Sequence, residues 1–129
     1  MIIEMTKDIV QSIVAIPEVV KWVAKVGGVP NVSANKLPGA LYPAIAVYEL
    51  ENDPEMYADD EEQTSLLTFQ ISLFSKDGSH GTVQNVIDEK MKELGFIRGT
   101  KIPLLFDTDN NISNRVLLYS QEIEHSLYK

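Results

Sequence analysis

Eight carboxylates within fourteen residues are the first feature of this sequence that could support chemistry. They lie between Glu49 and Glu62 with no intervening Lys or Arg, and the densest part is the run Asp59-Asp60-Glu61-Glu62. Carboxylates at this density could bind a divalent cation and support metal-assisted hydrolysis. Adjacent side chains on a flexible loop do not converge on one ion without a scaffold. The run is therefore interpreted as a solvated charged patch, and no metal ligand is assigned to it.

The histidines give little support to nucleophilic catalysis. The chain has no cysteine, and its only histidines are His80 and His125. Neither follows the glycine-rich turn that exposes a nucleophile in a strand-to-helix elbow. Both are interpreted as solvated surface residues, so the sequence predicts no catalytic residue.

A second acidic segment resembles part of a calcium loop. Asp107, Asp109 and Asn111 match the first three ligand positions of that loop. Ile112 stands where the loop requires Gly, and Leu118 stands where it requires the bidentate Glu. An Asx-rich hairpin turn explains these residues better. The sequence therefore predicts no metal site and no cofactor.

Composition restricts the class of protein. A chain of 129 residues with 44% hydrophobic and 23% charged residues is expected to form a single globular domain, residues 1–129. We see no secretory signal and no apolar run that could span a bilayer. The 19 acidic residues outnumber the 11 basic ones, and the whole excess lies in Glu49–Glu62. Because phosphate contacts require clustered Lys and Arg, this charge argues against a nucleic-acid-binding face.

Periodicity and turn signals predict an α+β fold with elements in the order α-(α)-β-β-α-β-β. Both strand pairs are adjacent in sequence, which predicts a mostly antiparallel four-stranded sheet with helices packed on one face, a two-layer sandwich. Residues 29–43 are predicted to be irregular and residues 51–63 to be an acidic loop. The first helix is expected from Ile3 or Thr6 to Ala15, the second from Pro17 to the glycine pair Gly27-Gly28, and the third from a Ser79 N-cap to Leu94, before Gly95. Strands are expected at 44–51, 64–75, 96–106 (with breaks at Gly99 and Pro103) and 115–124. A hairpin turn is expected at 107–111, and a loose tail beyond Glu124.

The strand at 64–75 carries the clearest alternation in the chain. Its odd-numbered face is expected to pack against the helix at 79–94. Its opposite face is polar except for Leu66 and Phe74, which are either partner contacts or residues covered by loops. The predicted core residues are Leu67, Phe69, Ile71, Leu73, Val83, Ile87, Met91 and Leu94.

Six segments stand out in their order along the chain: Leu41-Tyr42-Pro43-Ala44-Ile45, Ala58-Asp59-Asp60-Glu61-Glu62, the strand Phe69–Lys76, the helix end Val86–Phe96, Asp107-Thr108-Asp109, and Arg115–Ser120. In this order they resemble the tail-completion proteins of long-tailed bacteriophages and prophages, which join tails to heads. The resemblance covers roughly residues 38–124, and its motifs are structural rather than catalytic. Around Gly28 the family is usually glycine-rich with an aromatic residue, whereas this chain has Gly27-Gly28-Val29-Pro30.

The resemblance implies a non-enzymatic virion protein. Such proteins assemble as a ring, commonly hexameric, which ends the tail tube and docks it to the head connector. DNA passes through the ring without specific binding. An acidic subunit suits that passage because its carboxylates do not bind the phosphate groups of DNA. The resemblance thus implies location at the head–tail junction of a virion assembled in a bacterial cytoplasm, with no membrane.

Two other classes stay open at this point. One is a small oligomeric ligand-binding or regulatory module, which would require a pocket with convergent polar groups. The other is the metal-assisted hydrolase that would use the acidic loop. For the virion protein, self-association is expected through sheet edges and the segments 51–63 and 76–80. The predicted interface residues are Asp59, Asp60, Glu61, Glu62, Leu66 and Phe74.

Overall fold

A computed structural model describes residues 3–36, 41–58, 61–99 and 103–124. They form an α+β fold that combines three helices with a mixed six-stranded sheet and a separate two-stranded hairpin. The helices are α1 (Thr6–Val14), α2 (Pro17–Trp22) and α3 (Gly81–Glu93); the strands are β1 (Lys25–Val26), β2 (Val29–Pro30), β3 (Val32–Ala34), β4 (Ala44–Ala58), β5 (Glu61–Ser75), β6 (Ile97–Arg98), β7 (Leu104–Asp107) and β8 (Ile112–Glu124).

The large sheet differs from the predicted one. Its strand order is β3-β4-β5-β8-β6, and β7 pairs with β8. The strand β3 runs parallel to β4, with Val32 opposite Ile45, whereas the other neighbours are antiparallel. The prediction of a mostly antiparallel four-stranded sheet is therefore wrong, because the segment 29–43 supplies an edge strand and the broken segment 96–106 supplies two short strands.

The first two helices follow the local signals only in part. In α1 the buried side chains of Ile9 and Ile13 form the expected apolar stripe, and α2 begins at Pro17 as predicted. The second helix, however, ends at Trp22 rather than at the glycine pair. Gly27 and Gly28, at φ 59° and 83°, connect β1 to β2 instead. Positive φ at both central residues suits a tight hairpin turn, which glycine adopts without steric cost.

The acidic segment is a β-hairpin arm and not the predicted loop. Most of it continues the ladder between β4 and β5, from Glu51 opposite Thr68 to Ala58 opposite Glu61. Register irregularities follow Glu49 and flank Met56. Backbone hydrogen bonds between two long adjacent strands outweigh the mutual repulsion of the carboxylates in this segment. Residues 59 and 60 lie outside the described residues, and so does the predicted loose tail at 125–129.

The core confirms the predicted strand phase. The four apolar residues on the odd-numbered face of β5 are fully buried, and they pack in one cluster with Val83, Ile87 and Met91 of α3; the four are Leu67, Phe69, Ile71 and Leu73. Leu94 is partly buried against this cluster. Phe69 meets Phe96 edge to face at a centroid distance of 5.7 Å. The core thus lies between the helices and one face of the sheet.

Two predicted turns are confirmed and one predicted cap is wrong. Gly95 follows α3 at φ 92°, as expected of a helix C-terminus, and residues 108–111 turn β7 into β8. The helix α3 begins one residue later than a Ser79 cap requires, at Gly81, with His80 preceding it. Instead, the Ser79 hydroxyl donates to Asp77 at 2.6 Å and accepts from the Trp22 indole at 3.2 Å. Ser79 therefore ties α2 to the turn before α3.

Candidate functional site

The predicted interface residues fall into separate places in the structure. Asp59 and Asp60 lie outside the described residues. Glu61 and Glu62 stand opposite Ala58 and Tyr57 near the end of the β4–β5 arm. Leu66 and Phe74 both lie on the face of β5 opposite the helices, half-buried and eight residues apart.

That separation divides the apolar surface in two. Eight strand residues span roughly 26 Å at ~3.3 Å per residue. Leu66 contributes to a shallow groove of about 460 Å³ together with Gly95, Ile97 and Glu122. Phe74 contributes to a different pocket at the other end of the strand. Leu66 and Phe74 therefore cannot contact the same small partner surface.

The pocket around Phe74 is the more apolar of the two. It has a volume of about 340 Å³ and we call it the apolar pocket; its walls are Tyr42, Phe74, Leu105, Phe106 and Ile112, with Asp107 and Asn114 as polar members. The Tyr42 and Phe74 rings are tilted at a centroid distance of 6.3 Å. The Lys76 ammonium lies 5.9 Å from the Tyr42 ring centroid, at the range of a cation–π contact. The pocket could accept apolar side chains, with one acidic group on its wall.

The strand β7 leaves a sheet edge open beside this pocket. It pairs with β8 on one side, and no second strand partner is found among the described residues. All four of its residues are exposed, and Phe106 retains 64% of its surface. An open strand edge with apolar side chains is a ready template for another strand or segment. Sequence reasoning had placed this segment in one broken strand and had missed its open edge.

His80 is buried rather than solvated, which corrects the sequence interpretation. Only 3% of its surface is exposed, and its Nε2 lies 3.3 Å from the Ser113 hydroxyl. That hydroxyl donates to the Ser75 carbonyl at 3.0 Å, and the Trp22 ring lies 6.2 Å from the imidazole. Burial, together with the nearby positive charge of Arg115, lowers the pKa of His80. The residue joins the start of α3 to β5 and β8, a structural role.

A second buried polar cluster had no sequence signal. The Tyr119 hydroxyl donates to Asp88 Oδ1 at 2.9 Å, while Lys92 and Arg98 lie 3.1 and 3.3 Å from Oδ2. Burial raises the pKa of Tyr119, and the Asp88 carboxylate adds to that shift. Burial opposes ionisation of Asp88, yet the bonds from Tyr119 and Lys92 and the charge of Arg98 hold its pKa below the usual value. The cluster fastens α3 to β6 and β8.

The remaining acidic candidates are turn residues. Asp107 accepts from the Asn110 side chain at 2.8 Å and from the backbone N–H of Asp109 at 3.1 Å. These bonds lower the pKa of Asp107 and describe the Asx turn that the sequence predicted. Asp77 similarly accepts from Ser75 and Ser79, which lowers its pKa to about 2. In the parts of the chain that the structure describes, no three His, Asp or Glu side chains are grouped to hold a metal ion.

None of the helices within the described ranges is long and apolar enough to cross a membrane. Compared with known proteins, the chain matches no protein-family model and has no significant sequence match to a curated protein.

Proposed function

We propose that this chain is a structural subunit of a long-tailed phage or prophage virion. In this proposal, copies assemble as a ring, commonly hexameric, at the head-proximal end of the tail. The ring ends the tail tube and joins it to the head connector. The proposal begins from the segment resemblance described above and requires surfaces suited to self-association and docking.

The observation that carries the proposal is the distribution of surfaces at the two ends of the sheet. At one end, β4 and β5 continue as an acidic arm up to the pair Ala58–Glu61. At the other end lie the apolar pocket and the open edge of β7. A subunit that contacts neighbouring copies of itself and also contacts a ring of a different protein needs two unlike surfaces, one for each contact. The apolar end suits lateral contacts, and the acidic arm suits docking to a basic partner.

Charge supports the passage of DNA through such a ring. The chain has a net charge of −8, and the acidic excess lies in the segment that includes the arm. Carboxylates repel the phosphate backbone and release no condensed counterions from it, so the ring would not hold DNA in place. We expect no retention of duplex DNA by the purified protein at physiological salt.

The direct test is the oligomeric state at high protein concentration. Negative-stain electron microscopy and native mass spectrometry should show annular particles with a single subunit number. A two-fold dimer that seals the β7 edge and the apolar pocket at every concentration would contradict the proposal. Such a dimer is closed and leaves no surface for ring growth.

A further inference from the structure

The hairpin formed by β1 and β2 exposes apolar side chains that the fold does not use. Val26 stands opposite Val29, and they retain 48% and 63% of their surface. The glycine turn between them is exposed as well. Two adjacent valines in solvent next to a small turn form an apolar projection. We call residues 25–30 the hairpin knob.

The knob and the apolar pocket flank the same end of the sheet. The knob leads into β3, which pairs with the first residues of β4. Across the sheet from there, Ala44 stands opposite Phe74, Phe74 opposite Asn114, and Asn114 opposite Leu105 in β7. Since β3 and β7 lie at opposite edges of the sheet, the knob and the β7 wall of the pocket are separate surfaces that two different copies could contact.

We propose that the hairpin knob of one copy docks in the apolar pocket of a second copy. The pocket of about 340 Å³ provides aromatic and aliphatic walls for Val26 and Val29. The exposed Lys25 at the base of the knob is opposite in charge to Asp107 on the pocket wall. The knob contains no acidic residue, and the acidic arms stay at the far end of each sheet. The opposite charges and the apolar character of the two surfaces therefore both suit a second copy.

The contact is head to tail because the knob and the pocket are different surfaces. Repetition of such a contact closes into a ring when the rotation fits and otherwise gives a filament. The knob-in-pocket contact is the lateral contact between neighbouring subunits of the proposed ring. Only the closure of these contacts into a ring rests on the proposed function. A knob of this size buries on the order of a few hundred Å² per partner, below the roughly 800 Å² of a standard interface. One isolated contact is therefore weak, and assembly depends on closing the ring.

The absence of cysteine from the chain allows a sharp test of the contact. Differently tagged Val29→Cys and Leu105→Cys variants are mixed, oxidised and separated on non-reducing gels. The expected result is a mixed disulfide several-fold more abundant than with the control pair Glu18→Cys and Leu105→Cys. Glu18 is exposed on α2, outside both surfaces. A yield equal to that of the control, or a predominance of Leu105→Cys homodimers, would overturn the inference.

A second pair of variants tests the direction of the contact without covalent capture. Val29→Asp damages only the knob, and Leu105→Asp damages only the pocket. Each variant alone should fail to form rings. Their mixture should show a weak one-to-one association, detected by analytical ultracentrifugation at high protein concentration, because one intact knob still meets one intact pocket while no ring can close. Closed rings with disulfide yield at the control level would overturn this contact and leave the proposed function standing. A specific disulfide with open filaments would support the contact and contradict the ring.

Discussion

Replacing Phe69 with Ala tests the packing on which both candidate surfaces depend. The ring is fully buried on β5 and meets Phe96 edge to face at 5.7 Å. Removing a buried aromatic side chain costs about 3–5 kcal/mol, since burial is lost and a cavity remains. The aromatic pair, worth ~0.5–1.5 kcal/mol, places the expected loss in the upper half of that range. At ~3–5 °C per kcal/mol for a chain of this size, the melting temperature should fall by about 12–25 °C.

Gln70 provides the matched control for this experiment. It is the next residue on β5, points to the opposite face, and its amide donates to the Ser72 hydroxyl at 2.9 Å. Gln70→Ala should change the free energy of unfolding by no more than about 1 kcal/mol, the net value of one hydrogen bond between neutral side chains. Differential scanning calorimetry and urea unfolding measure both variants. A larger loss for Gln70→Ala than for Phe69→Ala would refute the assigned strand faces and, with them, the location of the apolar pocket.

Three further predictions follow from the polar clusters and the acidic arm. The pKa of His80 is lower in the folded state than the ordinary 6.5, so the unfolded chain binds the proton more tightly. The free energy of unfolding should therefore fall as the pH drops below about 6.5. Urea unfolding of the His80→Gln variant should show a smaller fall over the same pH range. Tyr119→Phe removes the hydrogen bond to Asp88 and should cost about 1–2 kcal/mol in calorimetry, since Lys92 still pairs with the carboxylate. Serine at all four positions 59–62 should leave the circular dichroism spectrum unchanged yet reduce the joining of tails to heads, and normal joining would reduce the acidic run to a solvated surface.

The periodicity of apolar residues predicted the structure correctly where one strong pattern determines a whole helix or strand. The alternation of β5 predicted its buried face because each odd-numbered side chain faces the helices. The stripe of α3 with a following glycine predicted that helix to within two residues of its bounds. The Asx-rich turn before Ile112 was predicted from turn chemistry alone. In these segments, local preference and tertiary packing favour the same structure.

Local sequence patterns gave wrong predictions where pairing with a distant segment determines the structure. Like charges and Pro54 predicted a loop, yet the strands on either side continue their ladder through the acidic segment. The short strand β3 has no alternation of its own and exists because Asn31 and its neighbours pair with the start of β4. His80 sits among polar residues in sequence, and only the contact with Ser113 shows that it is buried.

The candidate surfaces were predicted incompletely for a related reason. Leu66 and Phe74 do lie on the face of β5 opposite the helices, and their interface role stays a prediction. Their separation into two patches follows from strand length. The open edge of β7 depends on strand order, which residue patterns do not specify. The hairpin knob depends on Gly27-Gly28 acting as a turn rather than as a helix end.

The central claim is that this chain ends the tail and joins it to the head. The proposed function places the coding sequence in a phage or prophage, so the most direct measurement is electron microscopy of the particles made after that coding sequence is deleted. The account predicts filled heads and free tails that do not join, with joining restored when the intact chain is supplied. Normal joined virions after the deletion would contradict the account.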